Sequence, residues 1–572
     1  MTRRNLPRLP SLVRAAAYAT ALAAALATAG LAGCSSVPPA PPAAAAPVEV
    51  KIIAINDFHG NLLPPKGGIR IQDPARPGHL VTAEAGGAAI LATAVARLEA
   101  QNPNHIFVAA GDLIGASPLL SALFHDEPTV QALGLAGLEV SAVGNHEFDK
   151  GAAELLRIQN GGCSPIDGCK GPQPYTGARY KYLAASTVDE RTGRTIFPPY
   201  YVKTFQGIPM AFIGLTLKDT PEMVVPAGVA GLRFEDEAST VNRLVPQLQA
   251  QGIQAIVVLI HQGGWQKDGA GDYDGCEGLD GPIVGLVKKF DPAVGIVISG
   301  HTHRAYNCRI DGRLVTSADK YGTLVTDIDV TLDPRTRRVI ASRAHNRLVS
   351  AAEYAPDPRE TALIQAYVDR EGPLATRVVG RLGAALSRTP DAAGESPLGQ
   401  VIADAQLEAT RGAGAQIAFM NEGGIRAALP MPADGLVRYE DVFTAQPFYN
   451  NLVTMSLTGA QIERLLEQQW RGGEGRVMMV SRGFSYTWDA ARPHGARVLP
   501  GSVRLDGRPL DPAATYRVTV NSFMASGGDS FSVLRQGGDR VTGMLDVDAL
   551  EQYLGRHPGL GPGSAARITR LN

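Results

Sequence analysis

The chain is poor in cysteine, with 5 in 572 residues, and poor in aromatics, at 6%. It also lacks a charge imbalance: Lys+Arg 54 stand against Asp+Glu 55, a net charge of −1. So few cysteines exclude a small fold built on disulfides, and no C-x-x-C pair offers the usual half of a structural zinc site. Balanced charge excludes a global basic field for wrapping nucleic acid. The 64 glycines and 40 prolines together fall short of the roughly 25–30% that marks low-complexity disorder. Collagen, coiled coil and a many-span membrane protein are excluded by the same composition. What remains is a globular chain long enough for two to four domains of about 150 residues each.

The N-terminus reads as a targeting segment. Arg3, Arg4, Arg8 and Arg14 precede an Ala/Leu stretch from Ala15 to Leu31, the pattern of a secretory signal. Residues 37–47 (VPPAPPAAAAP) are an extended Pro/Ala tether that cannot pack a core. Removing residues 1–33 takes away four arginines and no acid, which leaves a net charge of −5. An acidic protein that binds an anion needs locally placed cations. The remaining Cys163, Cys169, Cys276 and Cys308 are an even set, as two disulfides require, although four cysteines permit three pairings. Cys163 and Cys169 bracket one short loop, so local pairing plus Cys276–Cys308 is the expected arrangement.

From Val48 to about Ser350, short β-branched runs recur: Val50–Ile55, His105–Ala109, Val140–Val143, Pro209–Leu215, Ala255–Ile260 and Gly295–Ser299. They are too short for helices and are flanked by Gly, Asn or Asp, so they predict buried strands. Helix-like stretches such as Ala85–Gln101 and Ala238–Gln251 lie between them, which predicts an α/β domain over residues 49–352. Within 353–374, Asp357-Pro358 reads as a helix start and Gly372-Pro373 as its end, giving an inter-domain helix. Residues 375–572 form a second α/β region, with helices at Leu398–Thr410 and Gly459–Gln469 and strands at Gln416–Met420 and Tyr516–Asn521.

Metal-binding residue types follow the predicted strands one after another. Asp57 and His59 follow the first; Asp112 follows the second; Asn145, His146 and Glu147 follow the third. His261 and the pair His301 and His303 follow the last two. Ligand sites in α/β sheets form beyond the carboxyl ends of strands, where loops bring distant positions together. Imidazole, carboxylate and amide oxygen suit Mn, Zn, Co or Mg, and a carboxylate shared by two such cations is a recurring arrangement for phosphoester hydrolysis.

The series Asp57-Phe58-His59, Gly111-Asp112, Gly144-Asn145-His146-Glu147, His261 and Gly300-His301-Thr302-His303 resembles the calcineurin-like metallophosphoesterases. Asn56–Gly60 and Gly144–Asp149 are similar to their 5′-nucleotidase branch. The resemblance implies a four-layer α/β/β/α catalytic domain joined by a helix to a smaller α/β substrate-binding domain. It implies that Asp57, His59, Asp112 and His303 hold one divalent ion, and that Asp112, Asn145, His261 and His301 hold a second. His146 would be the catalytic histidine and Asp149 its orienting carboxylate. The alternative reading of Asp149 is the N-cap of a helix from Gly151. Leu31-Ala32-Gly33-Cys34 resembles a bacterial lipobox, which implies a signal over 1–33, acylation of Cys34, a tether over 34–48 and a membrane anchor outside the cytoplasm.

In the second half, Asn421–Arg426, Gln446–Asn450 and Asn521–Asp529 resemble the family's substrate motifs. Phe448 and Phe523 would sandwich a nucleobase, Asp529 would accept from ribose hydroxyls, and Arg426 with Asn421 would meet phosphate or base. Stacking grips any base at roughly 1–3 kcal/mol, and arginine's planar fork suits phosphate oxygens. The pattern departs at two points: only Arg388 is a candidate for the arginine expected before Glu395, and Tyr449 stands where many members have Gly. The expected partner is a nucleotide, with no nucleic-acid polymer and no protein partner required. Rival readings are a 2′,3′-cyclic-nucleotide phosphodiesterase with 3′-nucleotidase activity, a thiosulfohydrolase of sulfur oxidation, and a non-enzymatic nucleotide-binding lipoprotein.

Overall fold

A computed structural model describes residues 46–76, 78–269, 271–470, 475–563 and 565–572. The signal segment, Cys34 and all but the last three residues of the tether lie outside the described residues. Val48, assigned to the tether from sequence, instead opens the first strand, Val48–Ile55. Its side chain is buried and joins the core, which a solvated tether residue would not do.

Two six-stranded sheets form the centre of the first half. In one, Val48–Ile55 runs parallel to His105–Ala109 and antiparallel to Leu324–Leu332, with Val140–Ala142 and Lys181–Leu183 beyond. In the other, Ala255–Ile260 lies parallel to both Ile208–Leu215 and Val294–Ser299. The inner faces share one core containing Ile52, Val108, Phe212, Val257 and Ile298. Helices Ala88–Glu99 and Glu127–Leu135 cover the outside of the first sheet, where Leu91, Val95 and Leu133 are buried. Helix Glu237–Ala250 covers the second with Val241 and Leu248. The layers are therefore α/β/β/α. Burial on both faces is why the central strands read as unbroken apolar runs.

Helix Pro358–Glu371 is capped by Asp357, whose carboxylate accepts from the backbone N–H of Arg359 at 2.7 Å and of Glu360 at 3.2 Å. Ile364 and Tyr367 bury this helix in the core of the first half. The second half is built on a five-stranded sheet in which Ile417–Met420 pairs parallel with Thr515–Asn521, and Asn451–Thr458 pairs antiparallel with the same strand. Helix Pro397–Ala409 starts at an N-cap Ser396, and Thr458 with Gln461 forms a capping box on helix Gly459–Glu467. Disulfides join Cys163 to Cys169 and Cys276 to Cys308.

The halves meet through named contacts. Lys66 Nζ lies 2.6 Å from Asp441 and 2.9 Å from Glu440, and the Ser530 hydroxyl donates to Glu222. Leu119 of the first half is buried in a core of the second.

Candidate metal centre and substrate cleft

Seven side chains from five strand ends converge. Asp57, His59 and His303 form one set and Asp112, His261 and His301 another, with the ligand atoms of each set within 4.8 Å of one another. Asp112 Oδ2 lies 2.9 Å from His261 Nε2 and 3.6 Å from His59 Nε2, so one carboxylate oxygen stands between the two sets. Asn145 is buried beside them on the turn after Val140–Ala142.

The turns that deliver these ligands are tight. Asp57, His59, Asp112, His301 and His303 all have positive φ, between 46° and 73°. Such backbone costs on the order of 1–3 kcal/mol per residue and persists only where its surroundings hold it. Here the Asp57 N–H donates to the Gly111 carbonyl, the His59 N–H to the Asp112 carbonyl, and the His301 N–H to the Asp57 carboxylate at 2.9 Å. Gly144 is required for a plainer reason: a Cβ there would come within 2.1 Å of an Asp112 carboxylate oxygen. Glu147, read from sequence only as part of a motif, ties these turns together. Its carboxylate accepts from the N–H groups of Asp112, Leu113 and Gly144 at 2.9, 2.8 and 2.7 Å.

The donor set fits divalent ions. His59 Nδ1 faces the Gly115 carbonyl and His261 Nδ1 the Ala110 carbonyl, each at 2.8 Å. Both rings thereby turn Nε2 to the centre, the usual way a metal-binding imidazole is fixed. His59 Nε2 stands 3.0 Å from His303 Nε2, His261 Nε2 faces Asp112 Oδ2, and Asn145 Oδ1 is buried without a hydrogen-bond partner. Burial holds His59 and His303 well below the ordinary imidazole range, which keeps their lone pairs free. Asp112 is held well below the carboxylate range: burial works the other way but is overcome by His261, His146 and His59.

His146 lies beside this centre. Its Nδ1 donates to both oxygens of Asp149, at 2.9 and 3.0 Å. Burial would lower its pKa, but Asp149 and Asp112 outweigh burial and raise it. The N-cap alternative for Asp149 does not hold. The helix is Ala152–Asn160, its N-cap is Gly151, and no side chain caps it.

The substrate residues predicted from sequence line one cleft of about 930 Å³ with the metal centre. Arg426 has Nε and Nη2 buried without partners and acts electrostatically on His59, His146 and His303. Arg388 also lines the cleft and donates to the Arg426 carbonyl. Asn421 is engaged within its own domain: it donates to Asp529 at 2.8 Å and accepts from Asn521 at 2.9 Å. Asp529 also pairs with Arg476 at 2.9 Å, a residue that no sequence motif marks. Phe523 sits on the short helix Ser522–Ala525, capped by Asn521. Phe448 stacks on His146, with ring centroids 5.9 Å apart and planes inclined by 24°. Tyr449 has φ 53°, the backbone that glycine would supply without strain, and its ring turns onto Phe443.

Fold and donor set define a metallophosphoesterase-type domain coupled to a second α/β domain that lines the same cleft. The family models agree: residues 50–305 match the calcineurin-like phosphoesterases, and residues 375–536 match the 5′-nucleotidase C-terminal domain. The chain belongs to the 5′-nucleotidase family of metallophosphoesterases. It is 31% identical to Endonuclease YhcR of Bacillus subtilis, over 89% of this chain and 40% of that protein. It is 30% identical to Cell wall protein Lmo0130 of Listeria monocytogenes, over 86% of this chain and 65% of that one. The chain thus spans less than two thirds of either relative. Among solved structures, a 5′-nucleotidase precursor from Thermus thermophilus is similar over 92% of this chain and 99% of its own, at 28% identity and a TM-score of 0.74.

Proposed function

We propose that the chain is an exported, lipid-anchored hydrolase that releases phosphate from nucleoside 5′-monophosphates, with UDP-sugars and other nucleotides as further substrates. The observation that carries this reading is the cleft itself. Buried, unpartnered Arg426 nitrogens, two phenylalanines and a carboxylate–imidazole cluster with inward lone pairs line one space. Arginine offers the fork for phosphate, the aromatic faces take a base, and Asp529 offers acceptors for ribose hydroxyls.

Asp57, His59, Asp112 and His303 would hold one Mn, Zn, Co or Mg ion, and Asp112, Asn145, His261 and His301 the other. When bound, the ions supply polarised phosphoryl oxygens and a hydroxide nucleophile at neutral pH. The residues do the rest. Arg426 draws the phosphate dianion toward the cluster. Asp149 accepts the Nδ1 proton of His146, so the proton that His146 can give to the departing 5′ oxygen is on Nε2. The two phenylalanines fix the nucleoside, so binding energy remote from the phosphorus orients the reacting bond.

Export and anchoring rest on the basic–apolar N-terminus, the lipobox-like Cys34 and two disulfides. No helix among the described residues is long and apolar enough to cross a membrane.

The test is phosphate release from AMP, UMP, UDP-glucose and 2′,3′-cyclic AMP after chelation, with Mn, Zn, Co or Mg restored. Metal-dependent release from AMP is expected, and silence on every nucleotide with ions bound would refute it. A diesterase reading draws on the relative named as an endonuclease and on the size of the cleft. It predicts faster turnover of the cyclic diester than of AMP.

A further inference from the structure

Two interactions outside the metal ligands govern the orientation of His146, and they come from different halves of the protein. Within its own domain, the two Asp149 oxygens hold the ring at one atom, Nδ1, at 2.9 and 3.0 Å. The ring meets His59 only edge-on, with centroids 5.1 Å apart and planes at 73°. A grip at a single ring atom leaves the imidazole free to tilt about that atom. The one near-parallel ring contact to His146 among the described residues comes from the second half: Phe448, at 5.9 Å and 24°. Phe448 is held from behind. It lies between Pro447 and Tyr449, and the Tyr449 ring is packed on Phe443 of the second half's core, 5.0 Å away.

We propose that Phe448 is a positioning residue for His146, so that the catalytic histidine is fixed in two dimensions only when the substrate domain lies against the metal domain. This goes beyond a base-stacking platform, and it rests on His146 acting in phosphoester hydrolysis as set out above. A misplaced proton donor slows the chemical step, whereas a lost base platform weakens substrate binding.

Ribose 5-phosphate, which has the scissile ester and no base, separates the two roles. With the metal-loaded full chain, Phe448→Leu is expected to lower kcat on ribose 5-phosphate about three- to tenfold. Phe448→Trp, which keeps an aromatic face, is expected to restore most of it. An unchanged kcat in Phe448→Leu would leave Phe448 as a base platform only and overturn the proposal.

A second readout needs no turnover. In ¹⁵N-histidine-labelled protein, the His146 ring protons should carry an upfield ring-current displacement that Phe448→Leu removes and Phe448→Trp retains. A His146 signal indifferent to both changes would also overturn it. If the wild-type protein with ions bound hydrolyses neither AMP nor ribose 5-phosphate, the functional reading fails, and the ring-current result still decides the contact.

Discussion

The two halves of the cleft prepare for a ligand in opposite ways. In the metal-binding half, ligand atoms are buried and turned toward one another: Asn145 Oδ1 without a partner, and the Nε2 atoms of His59 and His303 facing each other. In the substrate half, most polar atoms already have partners, Asn421 with Asp529 and Asn521, and Asp529 with Arg476. The first is a cage built on strained turns off two sheets; the second is a hydrogen-bonded surface that would have to exchange partners to receive the proposed nucleotide. Arg426 is the exception, a substrate-half side chain whose buried nitrogens lack partners as Asn145 Oδ1 does in the cage. With Arg426 meeting phosphate as proposed, the boundary between the two strategies follows the phosphate and not the domain border.

The contrast breaks most visibly at its centre. Asp112→Ala removes the oxygen that stands between both ligand sets, and a drop in turnover of about 10³-fold or more is expected, with loss of bound metal on elemental analysis. Full turnover without metal would end the cage interpretation. A smaller effect is expected one residue further out. Asp149→Asn keeps a hydrogen bond to His146 but not the charge, so kcat should fall about 10- to 100-fold while metal content holds. Metal lost in parallel would instead make Asp149 part of the cage.

The substrate half should answer differently. Asn421→Ala frees an Asp529 oxygen and leaves Asn521 without its acceptor, so KM for AMP should rise about tenfold with little change in kcat. A matching fall in kcat would erase the distinction between the halves.

The same difference explains how much was legible in sequence. Each metal ligand follows an apolar run buried on both faces, and Gly144 and Gly300 stand where a side chain would strike a ligand carboxylate, so local pattern and chemistry coincide. Strands Leu324–Leu332 and Val339–Leu348 carry no unbroken apolar run: Thr326, Asp327 and Asp329 interrupt the first, and the second is mostly exposed or half-buried. Arg476 carries no pattern at all: it comes to Asp529 across 53 residues of chain. The contact between Phe448 and His146 is likewise invisible locally, since it depends on how two domains close.

The smallest expected effect concerns the helix that links the two halves in sequence. Glu360 on Pro358–Glu371 is fully buried, and both its carboxylate oxygens lack a hydrogen-bond partner. Burial, with Asp357 adding to it, pushes its pKa up to about 8. A carboxyl whose folded pKa lies above its unfolded value of about 4.5 holds its proton more tightly when folded. Its stabilising contribution is therefore complete below about pH 4.5 and is lost as pH rises through about 8. Glu360→Gln, neutral throughout, should melt with the wild type at pH 4.5 and above it at pH 9, by about 2–4 °C for each kcal/mol recovered. Melting curves that stay parallel across that range would show that the helix carries its buried carboxyl at no pH-dependent cost.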